Sequence, residues 1–381
     1  MDFHLTKEQL LVRKMYREFA ENEVKPLAAE IDEEERFPME TVEKMAKLGM
    51  MGIYFPKQYG GAGGDVLSYA MCVEELAKVC GTTAVIVSAH TSLCAAPIFE
   101  NGTEEQKMKY LPDLCSGKKI GAFGLTEPGA GTDAQGQQTT AVLDESGENY
   151  ILNGSKCFIT NGGIADLYCV FASTDPSQGV KGISCFLVER SRPGVSIGKI
   201  ENKLGIRLSN TAEVIFEDVR VPKDHLVGEL NKGFKIAMNT LDISRLNVGA
   251  MGVGLAMRCL EEAITYAKTR VQFGKPIAKL GAIQTKIADM GMDVESTNQL
   301  VLYAAELMDA KQPFARISCM AKCRGADVAN RAATEALQIF GGYGYMKDYP
   351  MEKMFRDAKI LQIYEGTCEV QRQVIAGTYL R

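Results

Sequence analysis

The sequence predicts an α+β protein with three consecutive parts: an N-terminal helical domain (residues 1–118), a middle antiparallel β domain (119–228) and a C-terminal four-helix-bundle domain (229–381). Apolar residues recur every three or four positions in the first and last parts, whereas the middle part contains short, partly alternating apolar runs. The length of 381 residues is sufficient for two or three domains.

The composition is that of a globular protein. Apolar residues make up 46% of the chain and charged residues 24%, which excludes disordered, collagen-like and small disulfide-rich classes. The 43 basic and 48 acidic side chains give a net charge of −5. The chain therefore has no overall positive field that would hold a nucleic acid or an anionic membrane.

Helix-start signals support the N-terminal assignment. Two of them have the spacing of a capping box, in which a Thr and a Gln three residues later satisfy each other's backbone N–H groups. The four predicted starts are Thr6 with Gln9, Pro38, Asp65, and Thr103 with Gln106. The acidic run of residues 30–35 is predicted to be a solvated connection.

Short β-type runs separated by turn residues support the middle domain. Turns such as residues 144–149 are too short for crossover helices, which favours antiparallel pairing. The predicted strands are residues 120–125, 139–143, 150–152, 167–171, 183–188 and 213–221. After Gly233 the helical period returns almost to the end of the sequence, interrupted at 274–276, 312–313 and 341–342, as in an antiparallel bundle.

Eleven cysteines lie scattered through apolar stretches without a Cys-x-x-Cys pair. We interpret them as reduced thiols in a cytosol-like compartment, because a secreted fold would be expected to pair them. A metal site at Cys319 and Cys323 lacks further ligands nearby. The N-terminal residues have no secretory signal, and we expect no apolar run of about 18 residues, so a cytoplasmic protein is predicted.

Residues 129–134 formally match the GxGxxA fingerprint of dinucleotide-binding proteins. That mechanism needs a helix to begin there, whereas the following sequence, QGQQTTAVL, predicts loop and strand. The remaining alternatives are a plain turn and a backbone-rich loop that contacts a flat polar ligand. For the second alternative, Phe123, Thr126 and Thr132 offer an aromatic face and hydroxyl groups.

Two other glycine motifs leave similar alternatives open. Residues 156–163, KCFITNGG, are either a strand ending in a turn or a ligand contact that offers an aromatic ring and a hydroxyl group. Residues 338–345, QIFGGYGY, include a helix C-cap, but their three glycines also permit close approach of a ligand or subunit.

Glu365 is the candidate general base. It follows the mostly apolar residues 360–364 and precedes Gly366 and Thr367, where a helix can start. Apolar surroundings raise a carboxyl pKa and a helix N-terminus lowers it, so such a group can rest as an anion and still accept a proton. The alternative is a simple first-turn acid.

Two arginines have both a structural and a functional interpretation. Arg245 lies in an otherwise apolar helix and is either a paired or snorkelling side chain or a phosphate clamp. Arg270 and Phe273, before Gly274, admit the same two readings.

Taken together, these motifs resemble the acyl-CoA dehydrogenase family, most of all its bacterial short-chain, butyryl-CoA dehydrogenase-type members. The resemblance covers essentially the whole chain. It rests on FGLTEPGAGTD, NGSKCFITNGG, RVQFGKP, QIFGGYGY and RDAKILQIYEGTCEVQR, in this order on an α-β-α layout.

The resemblance implies a homotetramer, a dimer of dimers, with one FAD per subunit. The implied FAD contacts within the subunit are Phe123, Leu125, Thr126, Thr132, Phe158, Thr160, Thr367 and Glu369. The implied contacts to the FAD of a neighbouring subunit are Arg270, Phe273, Gln338, Gly341 and Gly342. The implied substrate contacts are Thr132, Phe234, Asp242, Arg245, Tyr364 and Gly366.

The implied reaction is α,β-dehydrogenation of a short-chain acyl-CoA to the trans-2-enoyl-CoA, or its reversal. Glu365 would remove the α-proton while hydride passes from the β-carbon to flavin N5, and electrons would be exchanged with an electron-transfer flavoprotein. Some relatives carry the base where this chain has Ser244, which cannot serve, so the role falls on Glu365. An oxidase that uses O₂ and a non-catalytic CoA-thioester-binding scaffold are the alternatives.

Three positions depart from the family pattern. Phe158 stands where many relatives have Trp, and Cys368 stands where Ser or Asn is commoner. Met251 replaces a frequent Gln and is expected along the acyl pocket, so the sequence does not fix the acyl chain length.

Overall fold

The computed structural model describes residues 5–380 and contains the predicted helical, β and helical parts in that order. The predicted α+β fold class is therefore confirmed. Short π-helical turns at Ala20–Val24 and Ala89–Ala95 follow the first and fifth α-helices. The α-helices of the first part are α1 (Lys7–Phe19), α2 (Ala28–Glu34), α3 (Met39–Lys47), α4 (Val66–Ala77), α5 (Gly81–Ser88), α6 (Ala96–Asn101) and α7 (Glu104–Cys115).

The predicted helix starts are confirmed by their hydrogen bonds. The Thr6 hydroxyl accepts from the Gln9 N–H at 3.2 Å, and the Gln9 side chain accepts from the Thr6 N–H at 3.0 Å. Thr103 and Gln106 form the same capping box before α7. Asp65 caps α4, and α3 begins directly after Pro38.

The acidic run is not a solvated connection, so that prediction was wrong. It forms most of α2, because Ala28 and Ile31 are spaced to bury one helix face. Asp32 points to the same side, is 4% exposed and accepts from the Arg356 guanidinium at 2.8 Å. The charges in the sequence hid a short amphipathic helix.

The middle part forms one sheet in the order β6-β7-β3-β2-β4-β5-β8, with β1 paired to β4. Most neighbours are antiparallel, but β1 and β2 both run parallel to β4, so the sheet is mixed rather than wholly antiparallel. Its strands are β1 (Gly121–Gly124), β2 (Thr140–Leu143), β3 (Asn149–Ile159), β4 (Leu167–Ser173), β5 (Ile183–Glu189), β6 (Val195–Ile200), β7 (Ala212–Pro222) and β8 (Leu226–Val227).

The last part contains long helices that surround the candidate base. A small hairpin of β9 (Val271–Gln272) and β10 (Lys275–Pro276) follows the first of them. The helices are α8 (Gly233–Thr269), α9 (Gly281–Asp309), α10 (Ala315–Phe340), α11 (Met351–Lys359) and α12 (Cys368–Tyr379).

Helices α8 and α10 cross in close contact, and this crossing positions the site. A Cβ added at Gly249 of α8 would lie 2.9 Å from the backbone oxygen of Ala321 in α10. Glycine is required at such a crossing because a side chain would push the two backbones apart. The close approach brings Arg245 of α8 and Lys322 of α10 to the same place.

One apolar stretch is longer than the sequence analysis expected. Gly81–Asn101 is long and apolar enough to cross a membrane by length and composition, but 94% of its most apolar window is buried inside the protein. Its composition is that of a core segment. All eleven cysteines are buried and free.

Candidate active site

The candidate base lies in a tight loop between α11 and α12. Glu365 has a φ of +54° and Gly366 a φ of +89°, so both residues are left-handed. A non-glycine residue rarely adopts this conformation unless its surroundings impose it. The Thr367 hydroxyl then caps α12 by accepting from the Val370 N–H at 3.3 Å.

Three buried donors hold the two carbonyl groups of this loop. The Arg245 Nε donates to the Glu365 carbonyl at 3.3 Å, and the Lys322 Nζ donates to the Gly366 carbonyl at 2.6 Å. The Gln371 side-chain amide lies 3.2 Å from both oxygens. The left-handed loop is therefore fixed by α8, α10 and α12 together.

The Glu365 side chain is suited to accept a proton. Its Oε2 is buried and has no hydrogen-bond partner among the described residues. Burial raises the pKa of the Glu365 carboxyl, and the Ser244 hydroxyl, Lys322 and Arg245 act in the opposite direction. The groups that lower the pKa of Glu365 are thus the Ser244 hydroxyl first and two neighbouring cations after it, whereas the sequence analysis expected a helix N-terminus.

Ser244 faces the same carboxylate from α8. Its hydroxyl lowers the pKa of Glu365 and also accepts from the Ser92 hydroxyl at 3.2 Å. Ser244 therefore lies beside the candidate base.

Arg245 is a paired arginine in this structure. Its Nη1 lies 2.6 Å from Asp242 Oδ1, and only 7% of its side chain is exposed. Burial raises the pKa of Asp242, although the guanidinium opposes this. The contacts favour the paired interpretation over a free phosphate clamp, and they make Arg245 an anchor of the Glu365 loop.

Tyr364 and Met251 meet on the other side of the base. The Tyr364 hydroxyl lies 3.8 Å from the Met251 sulfur, and burial raises the pKa of Tyr364 well above its usual range. Met251 is itself buried. Met251, which differs from the family pattern, therefore lies next to the loop that carries Glu365.

The loop that follows β1 lies beside the end of β3. The Cys157 N–H donates to the Thr126 carbonyl at 2.9 Å, which joins the two predicted ligand-contacting motifs. No α-helix begins at residues 129–134; a single 3₁₀ turn, Ala134–Gly136, is followed by β2. The segment is thus loop followed by strand, as the sequence predicted.

A buried ion pair fixes this loop, and the sequence analysis missed it. Lys156 is fully buried, and its Nζ lies 2.7 Å from Glu127 Oε1. It also donates to the Leu125 carbonyl at 3.2 Å and to the Gln137 side chain at 3.0 Å. The only sequence signal was Lys156 itself, two positions before Phe158 in the motif KCFITNGG.

Phe158 is turned outward at a β-bulge. The register of β3 against β7 shifts between Lys156 and Ile159, and Phe158 has a φ of +57° and is 64% exposed. A bulge redirects side chains in this way. An exposed ring beside Thr126, with Thr132 exposed on the adjoining loop, fits a flat polar ligand.

A second group of predicted residues lines a cavity of about 590 Å³. It includes Arg270, Phe273, Gly341 and Gly342, whereas Gln338 is exposed and does not line it. The Arg270 guanidinium lies 5.5 Å from the ring centre of Tyr343, and Phe273 is 88% exposed. These residues thus form a coherent recess rather than a simple helix cap.

The remaining predicted positions lie on neighbouring elements. Phe123 and Thr160 are partly buried, Leu125 is buried and Phe234 is partly buried at the start of α8. Glu369 is exposed in the first turn of α12, where backbone hydrogen bonding lowers the pKa of its carboxyl.

A three-part α-β-α fold whose last part holds a carboxylate oxygen that is buried and without a partner among the described residues is an arrangement suited to an enzyme. Comparison with family profiles identifies the family. Three acyl-CoA dehydrogenase profiles match the chain: the N-terminal domain at residues 6–118, the middle domain at 122–219 and the C-terminal domain at 231–380. The chain belongs to the acyl-CoA dehydrogenase family, as predicted.

Curated relatives support the same assignment. The short-chain specific acyl-CoA dehydrogenase of Clostridium acetobutylicum is 58% identical over 381 residues, which is all of both chains. The acryloyl-CoA reductase (NADH) of Anaerotignum propionicum is 50% identical over all of this chain and 96% of that protein. The predicted enzyme class is thereby confirmed.

Solved structures agree. Butyryl-CoA dehydrogenase from Megasphaera elsdenii has a TM-score of 0.98 at 50% identity, with both chains fully covered. A chain from a study of the electron transferring flavoprotein of Acidaminococcus fermentans has a TM-score of 0.98 at 52% identity, also with full coverage. An acyl-CoA dehydrogenase from Bacillus anthracis complexed with FAD has a TM-score of 0.93 at 36% identity, covering 99% of this chain and 67% of that chain.

Proposed function

We propose that this protein is an FAD-dependent short-chain acyl-CoA dehydrogenase in which Glu365 removes the α-proton of the acyl thioester, in either direction of the reaction. One observation supports the assignment of Glu365: its Oε2 is buried and has no partner among the described residues. The loop that carries it is held by Arg245 and Lys322, which donate hydrogen bonds to its carbonyl groups. A carboxylate in that state accepts a proton more readily than one in water.

The β domain offers residues that fit FAD. Phe158 presents an exposed ring, and Thr126 and Thr132 offer hydroxyl groups on the adjoining loop. Phe123, Leu125 and Thr160 would complete the contacts within the subunit, with Thr367 and Glu369 at the start of α12. FAD, when bound, supplies the two-electron acceptor that amino-acid side chains lack.

The protein itself handles the proton and the developing negative charge. An α-C–H beside a thioester is weakly acidic, so the carbonyl oxygen needs hydrogen-bond donors as the proton leaves. The backbone N–H of Glu365 has no acceptor among residues 5–380 and is available for this purpose. The surrounding apolar side chains exclude water and strengthen each electrostatic contact.

Helix α8 would guide the CoA arm. Phe234 and Arg245 are eleven positions apart, which puts them on one face of the helix and about 16 Å apart along its axis. Asp242 and Arg245 form the buried end of this line, close to Tyr364, Gly366 and the base. Thr132 would contact the substrate from the β domain.

The partners are also part of the proposal. The electron partner would be an electron-transfer flavoprotein, as the A. fermentans neighbour suggests. The recess formed by Arg270, Phe273, Gly341 and Gly342 would contact the FAD of a neighbouring subunit in a homotetramer, and the exposed Gln338 would add to that contact. We propose a cytoplasmic location.

Anaerobic flavin bleaching tests this function. We expect butyryl-CoA to bleach the purified yellow protein, and Glu365→Gln to retain FAD but to bleach at least about a thousandfold more slowly, because the amide cannot accept the proton. Glu295→Gln, on the exposed side of α9, serves as the matched control and should bleach like the parent.

Two results would contradict the proposal. Bleaching of Glu365→Gln at the parental rate would remove Glu365 from its role. A parent protein that binds FAD but is bleached by none of the butyryl, propionyl, branched and arylpropionyl thioesters would contradict the reaction. The same panel also defines the acyl specificity.

A further inference from the structure

We propose that Lys322 is a positioning residue for the base: its buried ammonium fixes the Gly366 carbonyl and supplies the positive charge that keeps Glu365 ionised when the acyl thioester displaces water. This inference rests on the proposed role of Glu365. Lys322 lies on α10, and its side chain hydrogen-bonds to the loop at a backbone carbonyl, that of Gly366.

The contacts of Lys322 are unusual for a lysine. The side chain is fully buried, although removing an ammonium group from water is costly unless other groups compensate for it. Its Nζ donates to the Gly366 carbonyl at 2.6 Å, and no carboxylate lies within 4.0 Å of it among residues 5–380. A buried cation without a paired anion close by acts electrostatically on the ionisable groups around it, here Cys368, Glu365, Cys323 and Arg245.

Among these groups the carboxylate is Glu365. Lys322 lowers the pKa of Glu365 electrostatically, whereas burial lowers the pKa of Lys322 and Cys368 and Glu365 raise it. Arg245 also acts on Glu365, but its charge is largely offset by Asp242 at 2.6 Å. Lys322 is therefore the cation near Glu365 that has no carboxylate partner within 4.0 Å among residues 5–380.

Other titratable groups face this site from each neighbouring element. They are Asp242 and Arg245 on α8, Cys319, Lys322 and Cys323 on α10, Tyr364 beside the candidate base, and Cys368 on α12. Burial raises the pKa of Cys319 and of Tyr364, whereas the hydrogen bond between Cys323 and Cys368 raises the pKa of Cys368 and lowers that of Cys323. Asp242 is already paired with Arg245, so Lys322 is the cation near Glu365 that has no carboxylate partner of its own among the described residues.

The chain provides a neutral control for the same hydrogen bonds. Gln371 is buried, and its amide donates to both the Glu365 and Gly366 carbonyls at 3.2 Å. Gln371→Leu loosens the loop without changing any charge. Lys322→Gln removes the charge but keeps an N–H donor, and Lys322→Met removes both.

The experiment measures the rate of anaerobic flavin bleaching by butyryl-CoA from pH 5 to pH 9. We expect the acidic limb of the parent profile to move upward by about one pH unit in Lys322→Met and in Lys322→Gln, because the carboxylate has lost its nearby cation. The rate below that limb should fall about tenfold. Lys322→Arg should restore the parental limb, and Gln371→Leu should lower the rate at every pH without moving the limb.

A measurement without turnover complements the kinetics. The carboxyl band of Glu365, identified by its loss in Glu365→Gln, is titrated by infrared difference spectroscopy in the FAD-bound protein. The same upward displacement is expected in Lys322→Gln. If Lys322→Met fails to fold, Lys322→Gln and this titration still decide the question.

Several outcomes would overturn the inference. An unchanged limb and carboxyl titration in Lys322→Gln would show that the charge does not act on Glu365. An equal displacement in Gln371→Leu would assign the effect to loop geometry. These results differ from failure of the proposed function, in which the parent is not bleached or Glu365→Gln is bleached as fast as the parent.

Discussion

Glu365 and Lys156 are both ionisable side chains removed from water, yet their surroundings differ in kind. Glu127 compensates the charge of Lys156 at 2.7 Å, and two further oxygens accept from the same ammonium group. Glu365 retains an oxygen that has no hydrogen-bond partner within the described part of the chain. A buried polar group whose hydrogen bonds are all satisfied stabilises the structure. An unsatisfied buried group costs free energy of folding, and such groups are found where they have a chemical role.

This difference leads to a prediction for Lys156→Met. The substitution leaves Glu127 buried without its cation, so the free energy of unfolding should fall by about 3 kcal/mol or more. Thr126 lies in the loop that the pair anchors, so FAD should also dissociate more easily. Urea unfolding of the FAD-bound protein and the FAD content after gel filtration measure the two effects.

The exposed pair of Lys25 and Glu21 provides the control. Both partners are substantially exposed, so Lys25→Met should cost less than about 1 kcal/mol. Adding Glu127→Gln to Lys156→Met should restore part of the stability, because no buried charge is then left unpaired. Equal stability of the two single variants would disprove a special role for the buried pair.

Residue-level prediction from the sequence depends on how local the signal is. Glu365 could be singled out as a candidate because a carboxylate before Gly-Thr at a helix start is visible in a few letters, and its role remains a prediction. Lys322 and Lys156 were not, because lysine is usually exposed and its burial depends on residues far away in the chain. A paired or snorkelling Arg245 was one of two alternatives, and its partner Asp242 was not foreseen.

At the level of elements, capping residues gave the most reliable information. Thr6, Asp65 and Thr103 mark helix starts through bonds to residues three positions away, so the sequence contains both partners. Helix α2 was missed because its charged face dominates the sequence and its anchor, Arg356, lies in the last domain. The strand β6 was also not predicted, because its residues are exposed or half-buried and lack a strong apolar pattern.

The π-helical turn Ala89–Ala95 joins the first two domains through His90. The ring Nε2 lies 3.0 Å from the Leu114 carbonyl at the end of α7, and Nδ1 accepts from the Gly121 N–H at 3.0 Å in β1. Burial lowers the pKa of His90 to about 4. A neutral ring therefore holds three elements together.

Acidification should weaken this junction. In the unfolded chain this histidine has the ordinary pKa of 6.5 and binds a proton below that pH, whereas folded His90 binds one only near pH 4. The contribution of neutral His90 to the free energy of unfolding is therefore complete above pH 6.5 and is lost as the pH falls toward 4. We expect a loss of about 2 kcal/mol between pH 7 and pH 5 from this residue.

Urea unfolding at the two pH values tests the expectation. His90→Gln offers an amide donor and acceptor in place of the ring but does not titrate, so its loss on acidification should be smaller than that of the parent by this amount. His225 is common to both proteins and cancels from the difference. Parallel losses in the two proteins would show that folded His90 takes up its proton as readily as the unfolded histidine does, which would contradict the expectation.

At the scale of the whole molecule, the site exists only where separate elements meet. Arg245 and Lys322 reach one loop because α8 and α10 cross at small residues, among them Gly249 and Ala321. The alternation of helix, sheet and helix was predictable from hydrophobic period, but the crossing was not, because a glycine in a helix does not reveal its neighbour. The domain boundaries at residues 118 and 228 remain predictions.

The recess around Arg270 and Phe273 is the surface that we propose to contact a neighbouring subunit. An 88% exposed phenylalanine, a left-handed Gly341 and an arginine beside Tyr343 form a concave surface with both apolar and cationic character. Such a surface suits an aromatic anion carried by another subunit. Assembly and cofactor retention should then depend on the same residues.

We therefore predict that Arg270→Glu lowers both the FAD content and the assembly state. Reversing the charge beside an anionic cofactor should weaken FAD retention at least about tenfold. Lys268→Glu makes the same charge change two residues earlier on the exposed end of α8 and should leave both properties unchanged. Sedimentation velocity and the flavin-to-protein absorbance ratio measure them on the same sample. Loss of FAD from a variant that still sediments as the parent would assign Arg270 to the cofactor alone, and a variant unchanged in both would remove the recess from the proposed subunit contact.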